Sequence, residues 1–166
     1  MAADHPPGRH LCAVDGRGPS RRALLRLGGL GMLAAALPVR AADDKPPEIV
    51  QPATPTRAAF MQRALEMRRL ATERGDQPYG AVIVRGGKIV GEGVSAVVTT
   101  PDPTAHAEMQ AIRDAARRLR TRDLSGGEMY GTSRACPMCE AGAYWAGVAR
   151  LWYGESIADG GAPRLR

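Results

Sequence analysis

The chain has 166 residues and a formal net charge of +6, from 23 basic and 17 acidic side chains. This length predicts one ordinary domain, or a smaller domain with a terminal extension. The hydrophobic fraction of 44% excludes a disordered protein, and three cysteines are too few for a disulfide-stabilised small domain. No uninterrupted apolar run approaches the roughly 18 residues of a bilayer-spanning helix, so we expect no membrane span.

The first 41 residues are typical of an export signal. Arg21 and Arg22 precede a short apolar stretch, Leu27–Leu37, and a small-residue site follows that ends at Ala41. This order of segments predicts a secretory signal, and the paired arginines resemble the bacterial twin-arginine type. We therefore expect residues 1–41 to be a twin-arginine-type signal peptide and the protein to be periplasmic. The alternative is a mis-assigned upstream start codon on a cytoplasmic protein.

Separating this leader changes the interpretation of the charge. Six basic and two acidic residues lie within residues 1–41, which leaves 17 basic and 15 acidic residues and a net charge of +2. Five of the remaining arginines cluster within residues 113–122, near the end of a predicted helix. Such runs are usually a solvated helix face, so we expect no nucleic-acid partner.

A proline-rich linker is predicted over residues 42–56, followed by a domain over residues 57–159. Thr56 is a suitable N-cap for a first helix that runs to about residue 74, where Gly75 ends it. A short irregular tail is expected over residues 160–166.

A β-hairpin follows the first helix. Residues 80–85 predict a buried strand, and a tight glycine turn leads to an antiparallel return strand over residues 88–98. Gly91 and Gly93 lie inside the return strand and indicate a bulge or a close backbone approach.

The second half of the domain alternates helices and strands. Thr104 is a suitable N-cap for a helix over residues 105–119, and a short strand covers residues 128–132. Pro137 opens a third helix that runs to residue 147, and a last strand covers residues 148–153. The order α-β-β-α-β-α-β predicts a layered α/β sheet with parallel strands joined through helices.

Two loop-to-helix junctions hold the soft metal ligands of the domain. His106 begins the second helix, and Cys136 and Cys139 begin the third. If the strands before these helices are parallel neighbours, both junctions meet at one edge of the sheet. One imidazole and two thiolates form a three-ligand zinc site with a position left for water, the catalytic pattern. Glu108 lies close enough to move protons without binding the metal.

Four segments together resemble the zinc deaminases of the cytidine-deaminase-like superfamily: residues 78–82, 102–108, 136–139 and 143–146. The H-x-E and C-x-x-C spacings belong to the zinc signature of those enzymes. The segments are most similar to bacterial guanine deaminases, and then to tRNA adenosine deaminases. The resemblance covers about residues 57–157 and implies a three-layer α/β/α sandwich with a mixed sheet.

The resemblance implies hydrolytic deamination of an amino-substituted purine or pyrimidine ring, with release of ammonia. It implies one zinc ion per chain, held by His106, Cys136 and Cys139. Glu108 would protonate a ring nitrogen and then pass a proton to the departing amine. The expected substrate is a free nucleobase, a nucleoside or a related aminated heterocycle.

Five further positions are expected to contact the substrate. Tyr79 and Trp145 occupy positions that line the base pocket of guanine deaminases, although core packing is the simpler interpretation of Trp145 alone. The backbone groups of Ala81 and Ala107 are expected to bind substrate. Ser95 stands where these families carry a base-contacting asparagine, and a hydroxyl lacks the paired donor and acceptor of an amide.

Two other departures from the family pattern affect the expected function. Ala135 replaces the proline that usually precedes the first zinc cysteine, and we expect zinc binding to survive. The C-terminal helix and strand of the family are expected to be truncated, and the uncovered sheet edge would favour a homodimer. Three alternatives stay open: a tRNA adenosine deaminase if the leader is spurious, a zinc-binding remnant without activity, and a C-x-x-C redox protein.

Overall fold

The structure, a computed structural model, describes residues 46–165, so the predicted signal peptide lies outside the described residues. Within this range the elements follow in the order α1 (Arg57–Glu73), β1 (Gly80–Arg85), β2 (Lys88–Val94), α2 (Ala107–Leu119), β3 (Gly127–Gly131), α3 (Pro137–Trp145), β4 (Arg150–Tyr153) and β5 (Ala158–Gly161). The strands form one mixed sheet in the order β2-β1-β3-β4-β5. The predicted α/β class is confirmed. No helix of this range is long and apolar enough to cross a bilayer.

Two hydrophobic clusters, one on each face of the sheet, produce three layers. Successive side chains of a strand point to opposite faces, and β1 follows this rule. Ala81 and Ile83 pack in the cluster that contains the buried alanines of α2 and α3. Val82 and Val84 pack in the cluster that contains Phe60 and the other buried residues of α1. The sheet is therefore covered by α1 on one face and by α2 and α3 on the other.

The two glycines of β2 allow α2 to approach the sheet closely. A Cβ atom at Gly93 would lie 1.9 Å from the carbonyl oxygen of Ala107, and one at Gly91 would lie 2.5 Å from that of Ala111. The register between β1 and β2 also shifts at this point and leaves Val90 as an extra residue. The predicted bulge and the predicted close approach are both confirmed.

The strand order corrects the expected parallel pairing. β1 is antiparallel to both β2 and β3, and the parallel pair is β3 with β4. The strands that precede α2 and α3 are therefore not neighbours, because β1 lies between them. They still run in the same direction, so α2 and α3 begin at the same edge of the sheet.

The start of α2 differs from the predicted one by two residues. The helix begins at Ala107, and His106 is its N-cap in an extended conformation. Thr104 belongs to a separate turn, in which its main-chain N–H and its hydroxyl both donate to Oδ1 of Asp102, each at 2.7 Å. This local turn competes with helix formation and places His106 at the junction.

Two boundaries of the sheet also differ from the predicted ones. β2 ends at Val94, because the N–H groups of Val98 and Thr99 donate to the carboxylate of Asp76 and not to a neighbouring strand. The irregular tail expected over residues 160–166 is wrong in part, because β5 pairs antiparallel with β4 and covers its edge.

The described part of the predicted linker is attached to the domain. Ile49 is buried in the cluster that contains α1. The side-chain amide of Gln51 donates to the carbonyl oxygen of Ile89 at 2.8 Å and accepts from its N–H at 2.9 Å. This segment has no helix or strand of its own, yet it satisfies backbone groups at the outer edge of β2.

Candidate active site

Three potential metal ligands converge where α2 and α3 begin. His106 is the N-cap of α2, Cys136 is the N-cap of α3, and Cys139 lies in the first turn of α3. The Nδ1 atom of His106 is 3.7 Å from the sulfur of Cys136 and 3.6 Å from that of Cys139. All three ligand atoms lie within 4.8 Å of one another. The sequence-predicted metal ligands are therefore brought together by the fold.

The spacing of these atoms fits zinc. Tetrahedral zinc with ordinary bond lengths to nitrogen and sulfur holds those two ligand atoms about 3.6 Å apart. Both nitrogen–sulfur distances agree with that value. A soft donor set of two sulfurs and one imidazole also suits zinc better than calcium or magnesium. Three protein ligands leave a fourth position open, which is the arrangement of catalytic zinc sites.

The surroundings of the two thiols favour a metal site over a redox pair. Cys139 is fully buried, whereas redox cysteines need a sulfur that their partners can reach. Because both sulfurs also face the same imidazole nitrogen, a bound cation is the simplest partner for them.

Glu108 places a carboxylate beside the metal ligands without joining them. It is buried in the first turn of α2, and its Oε2 atom is 3.6 Å from the sulfur of Cys139. Burial raises the pKa of the Glu108 carboxyl, an effect that its hydrogen bonds and His106 only partly oppose. A raised pKa makes a carboxylate a stronger general base. Its location therefore fits the predicted role in proton transfer.

An open pocket of about 350 Å³ adjoins Glu108 at the C-terminal ends of β3 and β4. Its polar lining residues are Glu108, Ser133, Arg134, Glu140 and Tyr153. Glu140 and Arg134 were missed by the sequence analysis, because neither belongs to a spaced motif. Ala135 also lines the pocket, so its small side chain leaves space where the related enzymes are expected to carry proline.

None of the five predicted substrate contacts lines this pocket, and Trp145 lies at the opposite end of α3 from the metal ligands. Ala81 and Ala107 are fully buried, in β1 and in the first turn of α2. Ser95 is only 2% exposed, whereas Tyr79 is 42% and Trp145 is 75% exposed. Their contacts with a substrate stay predictions, and core packing does not describe Trp145.

A comparison with protein families gives one match over this region. The family described as the cytidine and deoxycytidylate deaminase zinc-binding region matches residues 55–155. That range contains the three metal ligands, Glu108 and every residue that lines the pocket except Gly160.

Relatives with different names match this chain. A tRNA-specific adenosine deaminase of Aquifex aeolicus is 46% identical over 80 residues, 48% of this chain and 53% of that protein. A guanine deaminase of Bacillus subtilis is 39% identical over 101 residues, 60% of this chain and 65% of that protein. The chain thus spans between about half and two thirds of the length of these relatives.

Solved structures of two guanine deaminases superpose on this chain. The crystal structure of the Bacillus subtilis guanine deaminase superposes with a TM-score of 0.58 at 38% identity, and covers 60% of this chain and 64% of that one. A guanine deaminase from Nitrosomonas europaea superposes with a TM-score of 0.59 at 26% identity, and covers 63% and 61%.

Proposed function

The chain belongs to the cytidine and deoxycytidylate deaminase zinc-binding family, and from that premise we propose that it is a zinc-dependent hydrolytic deaminase. The proposed reaction releases ammonia from a nucleobase, a nucleoside or a related aminated heterocycle. The observation that carries this proposal is the buried Glu108 carboxylate beside the convergent His106, Cys136 and Cys139. Four groups with complementary chemistry at one sheet edge match the requirements of this reaction.

Glu108 is the residue that moves protons in the proposed mechanism. Zinc, when bound, supplies an activated water by lowering its pKa toward about 7. The Glu108 carboxylate accepts a proton from the attacking water and delivers it to a ring nitrogen, which makes the ring carbon more electrophilic. A second proton then passes through Glu108 to the amine as the carbon–nitrogen bond breaks. His106, Cys136 and Cys139 would hold the metal.

We propose a free base or nucleoside as the substrate, in the manner of a guanine deaminase. The pocket beside Glu108 is small, and Ser133, Arg134 and Tyr153 line it with groups that can donate to or accept from a heterocycle. The net charge of residues 42–166 is only +2, which gives little long-range attraction for a nucleic acid. Arg117 and Arg118 both pair with Asp114, at 2.7 Å each.

Deamination of a tRNA adenosine is the second candidate. It is favoured by the identity to the Aquifex aeolicus protein, which exceeds that to the Bacillus subtilis guanine deaminase. Both candidates use the same chemistry at the metal, so the geometry of the ligands does not distinguish them. The substrate has to be identified by assay.

A screen for ammonia release tests the proposal. The zinc-loaded protein would be assayed with guanine, adenine, cytosine, their nucleosides, aminotriazines and an RNA stem-loop with an adenosine in its loop. We expect turnover of a base or nucleoside, and none by Glu108→Ala. Turnover of the RNA alone would support the second candidate, and zinc binding without any turnover would indicate an inactive remnant.

We also propose that the protein is exported by the twin-arginine route. The proposal is supported by the arginine pair, the short apolar stretch and the small-residue site within residues 1–41. Export of folded proteins by this route would allow zinc to bind before translocation. Mass spectrometry of cell fractions tests it: we expect a periplasmic protein that begins near residue 42, and an intact Met1 on a cytoplasmic protein would contradict export.

A homodimer is the last part of the proposal. Tyr144 and Trp145 lie at the end of α3 with their rings edge to face, 5.5 Å apart, and Trp145 is mostly exposed. Exposed aromatic pairs of this kind are enriched in protein interfaces. Sedimentation velocity tests the assignment: we expect a dimer that Trp145→Glu dissociates, and a monomeric native protein would contradict it.

A further inference from the structure

The carboxylate of Asp76 collects an unusual number of hydrogen bonds near the site. Its Oδ1 atom accepts from the N–H of Gln77 and the hydroxyl of Ser95, both at 2.8 Å. Its Oδ2 atom accepts from the N–H of Val98 at 2.9 Å and from the N–H and hydroxyl of Thr99 at 2.8 and 3.0 Å. A carboxylate offers about four acceptor positions, so this one is filled by the protein and has none left for a ligand.

These hydrogen bonds join two loops at the sheet edge that carries the metal ligands. Asp76 precedes β1, whereas Ser95 and Thr99 follow β2. A further hydrogen bond extends the connection toward the site: the N–H of Ala96 donates to the carbonyl oxygen of Ala105 at 3.0 Å. Ala105 is the residue immediately before His106. The backbone that presents His106 is thus tied to the segment that Asp76 holds.

The donors around Asp76 require its ionised form. All five partners donate to it, and a proton on either oxygen would compete with one of them. Burial alone would raise the pKa of the Asp76 carboxyl, but the hydrogen bonds from Thr99, Ser95 and Gln77 hold it well below its usual range. Ser95 is buried and its hydroxyl donates to Asp76, so this side chain stabilises the loop.

We propose that Asp76 is a positioning residue of the metal site, which fixes the loop of residues 95–99 and through it the orientation of the His106 imidazole. The inference rests on the proposed function only for its catalytic consequence. Its structural consequence is that a substitution of Asp76 changes the zinc affinity of the site. This affinity can be measured without any substrate.

The test compares Asp76→Asn with the unchanged protein. Asparagine keeps the size of the side chain, but its amide nitrogen is a donor that faces other donors. We expect zinc affinity, measured by chelator competition, to fall by about 10- to 100-fold, as for other residues that orient metal ligands. The visible absorption bands of the cobalt-substituted protein should shift, because they report the geometry of the three ligands.

Asp123→Asn is the matched control. Asp123 also accepts hydrogen bonds in a loop, from the N–H of Ser125 at 2.9 Å, but it lies on the connection between α2 and β3, at the opposite edge of the sheet. We expect its metal affinity and cobalt spectrum to match those of the unchanged protein. An Asp76→Asn protein with native affinity and a native spectrum would overturn the proposal, and so would an equal change in Asp123→Asn.

If Asp76→Asn fails to fold, Thr99→Val decides the question. This variant removes one of the five hydrogen bonds at an exposed position. We expect a smaller loss of metal affinity, about two- to threefold, with a spectral shift in the same direction. Native values in Thr99→Val would then overturn the proposal. If the unchanged protein turns over no substrate and the variants still bind zinc more weakly, the positioning role is supported and the proposed activity is contradicted.

Discussion

Two buried carboxylates, Glu108 and Glu140, line the same pocket, yet their positions give them different chemistry. Glu108 lies two residues after His106, and its carboxylate adjoins the sulfur of Cys139. Glu140 directly follows Cys139 on α3 and lines the pocket from that helix. Of the two, Glu108 has its carboxylate next to a metal ligand, which fits the proton-transfer role proposed for it.

Replacing Glu108 with glutamine should separate zinc binding from catalysis. The amide keeps the shape of the side chain but cannot carry protons, so ammonia release should fall by about 10²- to 10⁴-fold. Zinc content should stay native, because Glu108 is not one of the three convergent ligands. Glu155→Gln is the control, since Glu155 is an exposed acid paired with Arg68. Retention of the native rate by Glu108→Gln would contradict the mechanism.

At the scale of helices and strands, the sequence predicted several features that depend on neighbouring residues. Thr56 caps α1 as expected and accepts the N–H of Ala59. Gly91 and Gly93 correctly indicated a close approach, because a Cβ atom at either position would collide with α2, and the bulge beside them has Val90 as its extra residue. The predicted start of α2 is two residues early, since Thr104 belongs to a turn with Asp102 and the helix begins at Ala107. A side chain with two available partners cannot be assigned from sequence alone.

The contact between β2 and α2 should not tolerate a methyl group. In Gly93→Ala the added Cβ would lie 1.9 Å from the backbone oxygen of Ala107, so α2 must move away from the sheet. We expect a loss of about 1–3 kcal/mol in the free energy of unfolding, and weaker zinc binding because His106 precedes that helix. Urea unfolding and chelator competition measure the two effects.

Gly142→Ala is the matched control for that substitution. Its added Cβ would meet the flexible end of Met109, which can move aside. Alanine also favours the helical conformation over glycine by about 1 kcal/mol, so α3 should gain or keep stability. Equal losses in Gly93→Ala and Gly142→Ala would show that the backbone contact under α2 is not the reason for the defect.

At the scale of the whole molecule, the prediction of one metal site succeeded although the predicted strand order failed. The ligands were expected to meet because β2 and β3 would be adjacent, but β1 lies between them. Strand direction, which follows from alternating strands and helices, is sufficient to bring both helix starts to one edge. Strand neighbours depend on long-range pairing that no local pattern encodes. For the same reason, Glu140, Arg134 and Asp76 became recognisable only when the chain was folded.

The domain begins before the first helix, and this boundary can be tested with three neighbouring residues. Ile49 is buried in the cluster with α1, Val50 is 67% exposed, and Gln51 pairs with the backbone of Ile89. We expect Ile49→Ala to lower the free energy of unfolding by about 2–4 kcal/mol. Gln51→Ala should lower it by about 1–2 kcal/mol, and Val50→Ala by no more than about 0.5 kcal/mol.

Urea unfolding of the three variants in the full chain measures these differences. A flexible linker would make the three substitutions equivalent, because none of the side chains would have a fixed partner. An ordered segment that covers the edge of β2 instead predicts larger losses of unfolding free energy in Ile49→Ala and Gln51→Ala than in Val50→Ala. The side chain of Gln51 forms hydrogen bonds with both backbone groups of Ile89, so hydrogen exchange at the Ile89 amide should be slow. Only Gln51→Ala should remove this protection. Equal stability of all three variants would place the start of the domain at residue 57 after all.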